Sequence, residues 1–187
     1  GLHGGTSIPV RYQHLPKRQS IGMKRNLAVS LSRGEVVIQW DDDDYYGPTR
    51  LTQQVAPIIA GSFDATILAF KWMYLVQERR TLIRTRQEDV VPFTGSSAFK
   101  RSFYSACGEK TRFPEQHSLA EEYTFLANIV QDANARLLVI DDSDDNALYV
   151  RHGSTMTTLP QDFQGLFKPS PVDAYVPALG DPKQRAF

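Results

Sequence analysis

The sequence has only one cysteine, no net charge and no long apolar run, and each of these absences excludes a class of protein. A single cysteine, Cys107, excludes an internal disulfide and is consistent with a reducing compartment, so we expect a cytoplasmic protein. Because 21 basic residues balance 21 acidic ones, bulk charge does not favour binding to nucleic acid or to an anionic membrane. No apolar run approaches the roughly 20 residues that span a bilayer, and we recognise no secretory signal.

What remains is the composition of an ordinary globular domain. Of the 187 residues, 41% are hydrophobic and 22% are charged, which suffices for one domain with its own core. Five of the 11 prolines fall in residues 159–187. We therefore expect residues 1–158 to form the domain and residues 159–187 to form an extended tail outside the core.

The first part of the chain predicts an α/β unit. Ser20 suits the N-cap of a helix over residues 20–33, with Gly34 as its C-terminal cap. Residues 35–40, EVVIQW, predict a short strand, and Pro48 favours the start of a second helix ending by residue 61. A helix that leads through one glycine into a strand is typical of α/β proteins with parallel sheets.

The later elements are predicted from shorter patterns. The best helical periodicity covers residues 118–134, where Ser118 and Glu121 form a capping-box pattern. Elsewhere we expect two hairpins, one of strands 63–76 and 80–84 with a turn at 77–79, the other of strands 136–140 and 147–152 with a turn at 141–146. We also expect a strand at 7–14, a mixed strand and loop at 89–99 and a short helix at 102–107. The turn at 141–146 is acidic, but Ala147 and Gly153 stand where a calcium loop of the EF-hand type needs glycine and glutamate.

Four consecutive aspartates, residues 41–44, follow the strand at 35–40 and are called the aspartate run below. In an extended segment Asp41 and Asp43 share one face, while Asp42 and Asp44 share the other. Such carboxylates repel one another unless a cation or hydrogen-bond donors offset their charge, and hard divalent cations prefer oxygen ligands. The alternative is a solvated acidic turn that favours the N-terminus of the next helix.

Several motifs in order resemble those of family 2 glycosyltransferases with the GT-A fold. They are MKRNLA at residues 23–28, RGEVVIQW at 33–40, the aspartate run, YYGP at 45–48 and RL at 50–51. The resemblance implies a GT-A type α/β fold, with a mixed, mostly parallel sheet flanked by helices. It also implies a metal-dependent enzyme that transfers a sugar from a nucleoside-diphosphate sugar to a saccharide or other hydroxyl acceptor. A UDP-sugar is the expected donor, and the configuration at the anomeric carbon is expected to invert.

The resemblance also assigns roles at the donor side. It implies Mn²⁺ or Mg²⁺ on Asp43 and Asp41, and donor contacts from Asp41 and Asp42. Arg25 and Asn26, in the first helix, are the further donor-binding candidates. Lys24 and Arg25 suit phosphate binding, and the alternative is that both are solvated helix residues.

Three downstream features extend the resemblance. Glu121 and Glu122 stand where the family carries the acidic pair that includes the general base, and Glu122 replaces the usual aspartate. The alternative is that both acids complement the helix dipole. His152, in the motif YVRHG, is implied as a further metal ligand, or else as a structural histidine. Thr94, Gly95 and Ser96 are implied to face the acceptor, with an ordinary turn as the alternative.

One departure from the family concerns the nucleotide-recognition half. Before Met23 the sequence offers no strand–helix–strand unit for the base and ribose, so the Rossmann-like N-terminal half is incomplete. We expect an upstream segment or a partner chain to complete the domain, or a degenerate domain. The competing hypotheses are a non-catalytic glycosyltransferase-like module for binding or assembly, and a simple cation-binding domain.

Overall fold

The computed structural model describes residues 9–69, 71–85, 92–117, 121–141, 147–152 and 167–169. Its helices and strands are α1 (Ile21–Leu31), β1 (Val36–Ile38), β2 (Tyr45–Tyr46), α2 (Arg50–Ile59), β3 (Ala65–Ala69), β4 (Trp72–Leu75), β5 (Arg80–Arg84), β6 (Pro92–Lys100), α3 (Glu121–Gln131), β7 (Leu137–Ile140), β8 (Ala147–Arg151) and β9 (Phe167–Pro169). No helix in the described ranges is both long and apolar enough to cross a membrane.

The strands form two mixed sheets, in the orders β1-β6-β3-β7 and β2-β8-β4-β5-β9. The expected mixed α/β architecture is confirmed, but parallel pairing does not predominate. Among the described pairings only β3 with β7 and β4 with β8 are parallel. The reason is β6, which lies between β1 and β3 and runs antiparallel to both.

Two of the expected strand connections are wrong because the chain passes from one sheet to the other. The strand expected at 63–76 is two strands, with β3 in the first sheet and β4 in the second. Likewise β7 joins the first sheet and β8 the second, so they do not form a hairpin. The hairpin of β4 and β5 is confirmed, with Leu75 opposite Arg80.

Helix α1 begins as its sequence predicts. The Ser20 hydroxyl accepts a hydrogen bond from the Met23 amide at 3.1 Å and caps the helix. At the other end Ser32 turns into extended backbone, so Gly34 is not the C-terminal cap. Gly22 is required by packing, because a Cβ at this position would lie 2.0 Å from the Pro114 carbonyl oxygen.

Other boundaries differ in detail from the expectations. Helix α2 begins two residues after Pro48 and continues through Pro57, while 3₁₀ turns at Arg101–Phe103 and Gly108–Thr111 replace the expected helix at 102–107. Residues 9–14 form no strand. The cap at Ser118, the turn at 142–146 and all of the tail except β9 lie outside the described residues.

The main core lies between the first sheet and the helices α1 and α3. Phe125 of α3 stacks on Phe113 at 4.3 Å between ring centroids and meets Phe99 of β6 at 4.7 Å. All three rings are at least 97% buried. Because aromatic burial contributes strongly to stability, this cluster fixes α3 against the sheet and thereby fixes the acids at its first turn.

Candidate active site

The centre of the candidate site is Arg25, on α1. Its guanidinium lies 2.6 Å from Glu122 Oε1 and 3.4 Å from Glu121 Oε1, at the start of α3. It also lies 3.6 Å from Asp41 Oδ1, just after β1. The structure therefore brings together acids that are 80 positions apart in the sequence and places one arginine between them.

One arginine does not neutralise three carboxylates, so this cluster carries excess negative charge. Burial raises the pKa of Asp41, an effect that Arg25 opposes. Burial also raises the pKa of Glu121, and the neighbouring Glu122 charge raises it further. The Glu121 side chain is only 2% exposed, whereas that of Glu122 is 15% exposed.

Gln39, which sequence reasoning did not single out, links the two halves of the cluster. Its side-chain oxygen accepts from Arg25 Nη1 at 2.9 Å. Its amide nitrogen donates to Asp41 Oδ1 at 3.2 Å and to Glu122 Oε1 at 3.4 Å. An amide is suited to this position because it donates to carboxylates on one side and accepts from a cation on the other.

The Asp41 carboxylate rests directly on the backbone of β6. A Cβ added to Gly95 would lie 2.8 Å from Asp41 Oδ2 and 2.9 Å from the Phe93 ring. Any side chain at residue 95 would therefore displace Asp41 or the buried ring of Phe93. Gly95, expected at the acceptor, acts in this structure as the floor of the site.

Asp43 and Asp44 of the aspartate run contact β8 and the residue that follows it. His152 Nε2 lies 3.1 Å from Asp43 Oδ2, and both side chains are partly exposed. Asp44, which the sequence did not distinguish, accepts a hydrogen bond from the Val150 amide at 2.9 Å. Burial raises the pKa of the Asp44 carboxyl to about 7, although the Val150 amide opposes this.

Residues 4–112 match the family Glycosyl transferase family 2, which is more than half of the chain. The chain belongs to glycosyltransferase family 2. Among curated proteins, none matches the sequence well enough to serve as a relative.

Two solved structures show the same fold. S. aureus TarS 1-349 in complex with UDP-GlcNAc is 20% identical, with a TM-score of 0.55, and the match covers 82% of this chain and 46% of that one. A further S. aureus TarS structure is 21% identical, with a TM-score of 0.51, covering 71% of this chain and 25% of that one. The chain thus spans less than half the length of either structure, and the likeness supports the GT-A fold.

Two residues predicted to contact the donor or the acceptor make hydrogen bonds to buried backbone groups. The side chain of Asn26, expected at the donor, donates to the Phe113 carbonyl at 2.9 Å and accepts from the Phe113 amide at 3.0 Å. Ser96, expected at the acceptor, is fully buried, and its hydroxyl donates to Phe93 O and accepts from the Leu68 amide. Both side chains satisfy buried backbone groups, and their contacts with a donor or an acceptor stay predictions.

The remaining predicted residues stay available to a ligand. Asp42 is exposed on the aspartate run, and Thr94 is partly exposed on β6. Lys24 is exposed on α1, whereas Arg25 points to the acids. Their predicted roles toward donor and acceptor therefore stay predictions.

Two of the side chains predicted to bind Mn²⁺ or Mg²⁺ lie next to each other in the structure. Nowhere in the described ranges do three histidine, cysteine or acidic side chains converge as a cation site. Asp43 and His152 do form an adjacent oxygen and nitrogen pair at 3.1 Å. This donor set fits Mn²⁺, which accepts both carboxylate and imidazole ligands.

Proposed function

We propose that this chain carries the transfer site of an enzyme that moves a sugar from a nucleoside-diphosphate sugar to a hydroxyl group of a saccharide or other acceptor. The donor nucleotide is UDP, and the configuration at the anomeric carbon is inverted. The observation that carries the proposal is the convergence of the α3 acid pair and Asp41 on Arg25. The UDP-GlcNAc complex of the similar S. aureus TarS 1-349 supports a UDP-sugar as the donor class.

Glu122 is the better candidate for the general base. Its side chain is 15% exposed, whereas that of Glu121 is only 2% exposed. In an inverting transfer the base takes the proton of the acceptor hydroxyl as its oxygen attacks the anomeric carbon. Arg25 and Gln39 hold the Glu122 carboxylate from one side and thereby orient it toward the acceptor.

Asp43 and His152 would hold the divalent cation, Mn²⁺ or Mg²⁺, while Asp41, the other predicted ligand, contacts Arg25 and Gln39. A cation at this position would neutralise charge on the leaving diphosphate. Asp42 and Arg25 supply further charged groups for the donor, and Thr94 supplies a hydroxyl for the acceptor. We propose that an upstream segment or a partner chain supplies the contacts to the base and ribose.

A non-catalytic binding or assembly module is the second candidate. The observation on its side is the 2.6 Å ion pair between Glu122 Oε1 and Arg25, since this oxygen, which also accepts a hydrogen bond from Gln39, is already engaged within the protein. The two candidates differ in turnover, which only the enzyme shows.

Calorimetry with UDP and Mn²⁺ tests donor binding. The unmodified chain is expected to release or absorb heat with UDP only when Mn²⁺ is present, and Asp43→Ala is expected to abolish this. Asp132→Ala is the matched control, because Asp132 is also a partly exposed aspartate but lies beyond the end of α3. With the upstream segment or partner that completes the nucleotide-binding half present, absence of heat with UDP, GDP and dTDP alike would contradict the proposal, as would equal binding by Asp43→Ala.

A further inference from the structure

Arg50 is a buried cation that neither the family motifs nor the proposed function has given a role. It lies at the first residue of α2 and has no exposed surface. Its three hydrogen bonds go to uncharged oxygens, namely the Gln54 side chain at 2.8 Å and the carbonyls of Gln39 at 2.7 Å and Ser96 at 3.2 Å. Burying a guanidinium is costly, so a buried arginine that bonds neutral groups calls for a further explanation.

The position of Arg50 relative to the aspartate run supplies that explanation. Its guanidinium carbon lies 4.5 Å from the centre of the Trp40 ring and 3.7 Å from that of Tyr46. Trp40 immediately precedes the aspartate run, and Tyr46 is the second residue after it. A single side chain therefore holds both ends of the segment that carries the four carboxylates.

Through its hydrogen bond to the Gln39 carbonyl, Arg50 also affects the cluster around Arg25. Because Arg50 holds the Gln39 carbonyl, it fixes the backbone from which the Gln39 and Asp41 side chains reach Arg25 and Glu122. Its positive charge also interacts with Asp41 and Asp44 and offsets part of the repulsion within the run.

We propose that Arg50 is a positioning residue for sugar transfer, which clamps Gln39, Trp40 and Tyr46 and so fixes the aspartate run in the shape that binds the cation and the donor diphosphate. This inference rests on the proposed function. Lysine cannot replace Arg50 here, because an ammonium group lacks the flat face that stacks on two rings and cannot bond from two separate nitrogens, as Nε does to Gln54 and Nη2 to the two carbonyls.

Fluorescence of Trp40 provides a direct test. The chain has two tryptophans, so Trp72→Phe leaves Trp40 as the sole reporter. In this background Arg50→Lys is expected to increase acrylamide quenching of Trp40, because the ring loses the guanidinium that covers one side. It is also expected to weaken Mn²⁺ binding, followed by quenching of Trp40 or by calorimetry, by about tenfold.

Arg84→Lys is the matched control, because Arg84 is also a buried arginine but lies on β5 and pairs with Asp141. It is expected to alter neither Trp40 quenching nor Mn²⁺ affinity, even if the Tm falls. The inference is overturned if Arg50→Lys leaves both readouts unchanged, or if Arg84→Lys changes them equally. If the parent chain binds no Mn²⁺, the proposed function fails, and the acrylamide comparison alone decides whether Arg50 clamps the run.

A second variant covers the case in which Arg50→Lys does not fold. Trp40 is 52% exposed, so Trp40→Leu is expected to fold. With Trp40→Leu, Mn²⁺ binding by calorimetry is expected to weaken, and Trp40→Phe, which keeps a ring on the guanidinium, is expected to restore it. Equal Mn²⁺ affinity in the leucine variant and the unmodified chain would refute the clamp.

Discussion

The contact between Asp41 and the backbone at Gly95 predicts that even one methyl group there is harmful. In Gly95→Ala the new Cβ would lie 2.8 Å from Asp41 Oδ2 and 2.9 Å from the Phe93 ring, where ordinary contacts begin near 3.4 Å. Both neighbours must therefore move by about half an ångström. The carboxylate can swing away, but the Phe93 ring is 4% exposed and packed between Tyr46 and Tyr149.

Overpacking of this kind costs about 1–3 kcal/mol of unfolding free energy, which lowers the Tm of a chain of this size by about 2–12 °C. Displacement of Asp41 also breaks its 3.2 Å hydrogen bond with Gln39, so Mn²⁺-dependent UDP binding is expected to weaken in parallel. Thermal unfolding and calorimetry on the same samples measure the two effects. In an Asp41→Ala background the cost of Gly95→Ala is expected to fall, because one of the two clashes is gone.

The geometric reasoning fails if Gly95→Ala has the Tm and the UDP affinity of the unmodified chain. It also fails if the cost is the same with and without the Asp41 side chain, since Phe93 alone would then limit the space at residue 95.

Two further predictions concern pH. The folded pKa of Asp44, about 7, is above its ordinary 3.8, so its contribution to stability is present below about pH 4 and is lost as pH rises toward 7. Asp44→Asn, which can still accept from the Val150 amide, is expected to be more stable than the parent near pH 8 in metal-free urea unfolding; an unchanged pH slope would contradict this. At Asp64 the hydrogen bonds from Arg136 and Lys100 lower the pKa, so its contribution is present above the ordinary 3.8 and lost as pH falls below it. Asp64→Asn is expected to lose about 1–3 kcal/mol at neutral pH, and a smaller loss near pH 3 than at pH 7 distinguishes this from general damage.

The parts of the fold that the sequence predicted are those with local signals. The Ser20 cap, the short strand before the aspartate run and the hairpin of β4 and β5 each follow from neighbouring residues. Strand β6 does not, because its centre, Thr94 to Ser97, is polar and resembles a loop. In the structure Ser96 and Ser97 are fully buried. The hydrogen bonds of the Ser96 hydroxyl offset the cost of burying a polar side chain in this strand.

The acidic residues of the candidate site could be predicted from the sequence, but the residues that hold them in place could not. The resemblance to family 2 identified the aspartate run and the α3 acids, since these stand out as charged pairs in the sequence. Gln39 and Arg50 gave no such signal, because their roles depend on contacts with residues up to 83 positions away. The hydrogen bond of Asn26 to Phe113 could not be predicted for the same reason, because the two residues are 87 positions apart.

The central claim, sugar transfer with Glu122 as base, is tested most directly by release of UDP from UDP-GlcNAc and other UDP-sugars in the presence of Mn²⁺, with water or added saccharides as acceptors. With the upstream segment or partner that completes the nucleotide-binding half present, we expect turnover by the unmodified chain and a loss of about 10²–10⁴-fold in Glu122→Gln, with UDP binding retained. Glu121→Gln, at the buried neighbouring acid, is expected to lose far less. Turnover by Glu122→Gln equal to that of the unmodified chain would contradict the account, and so would UDP binding with no turnover in the unmodified chain, which would favour the non-catalytic module.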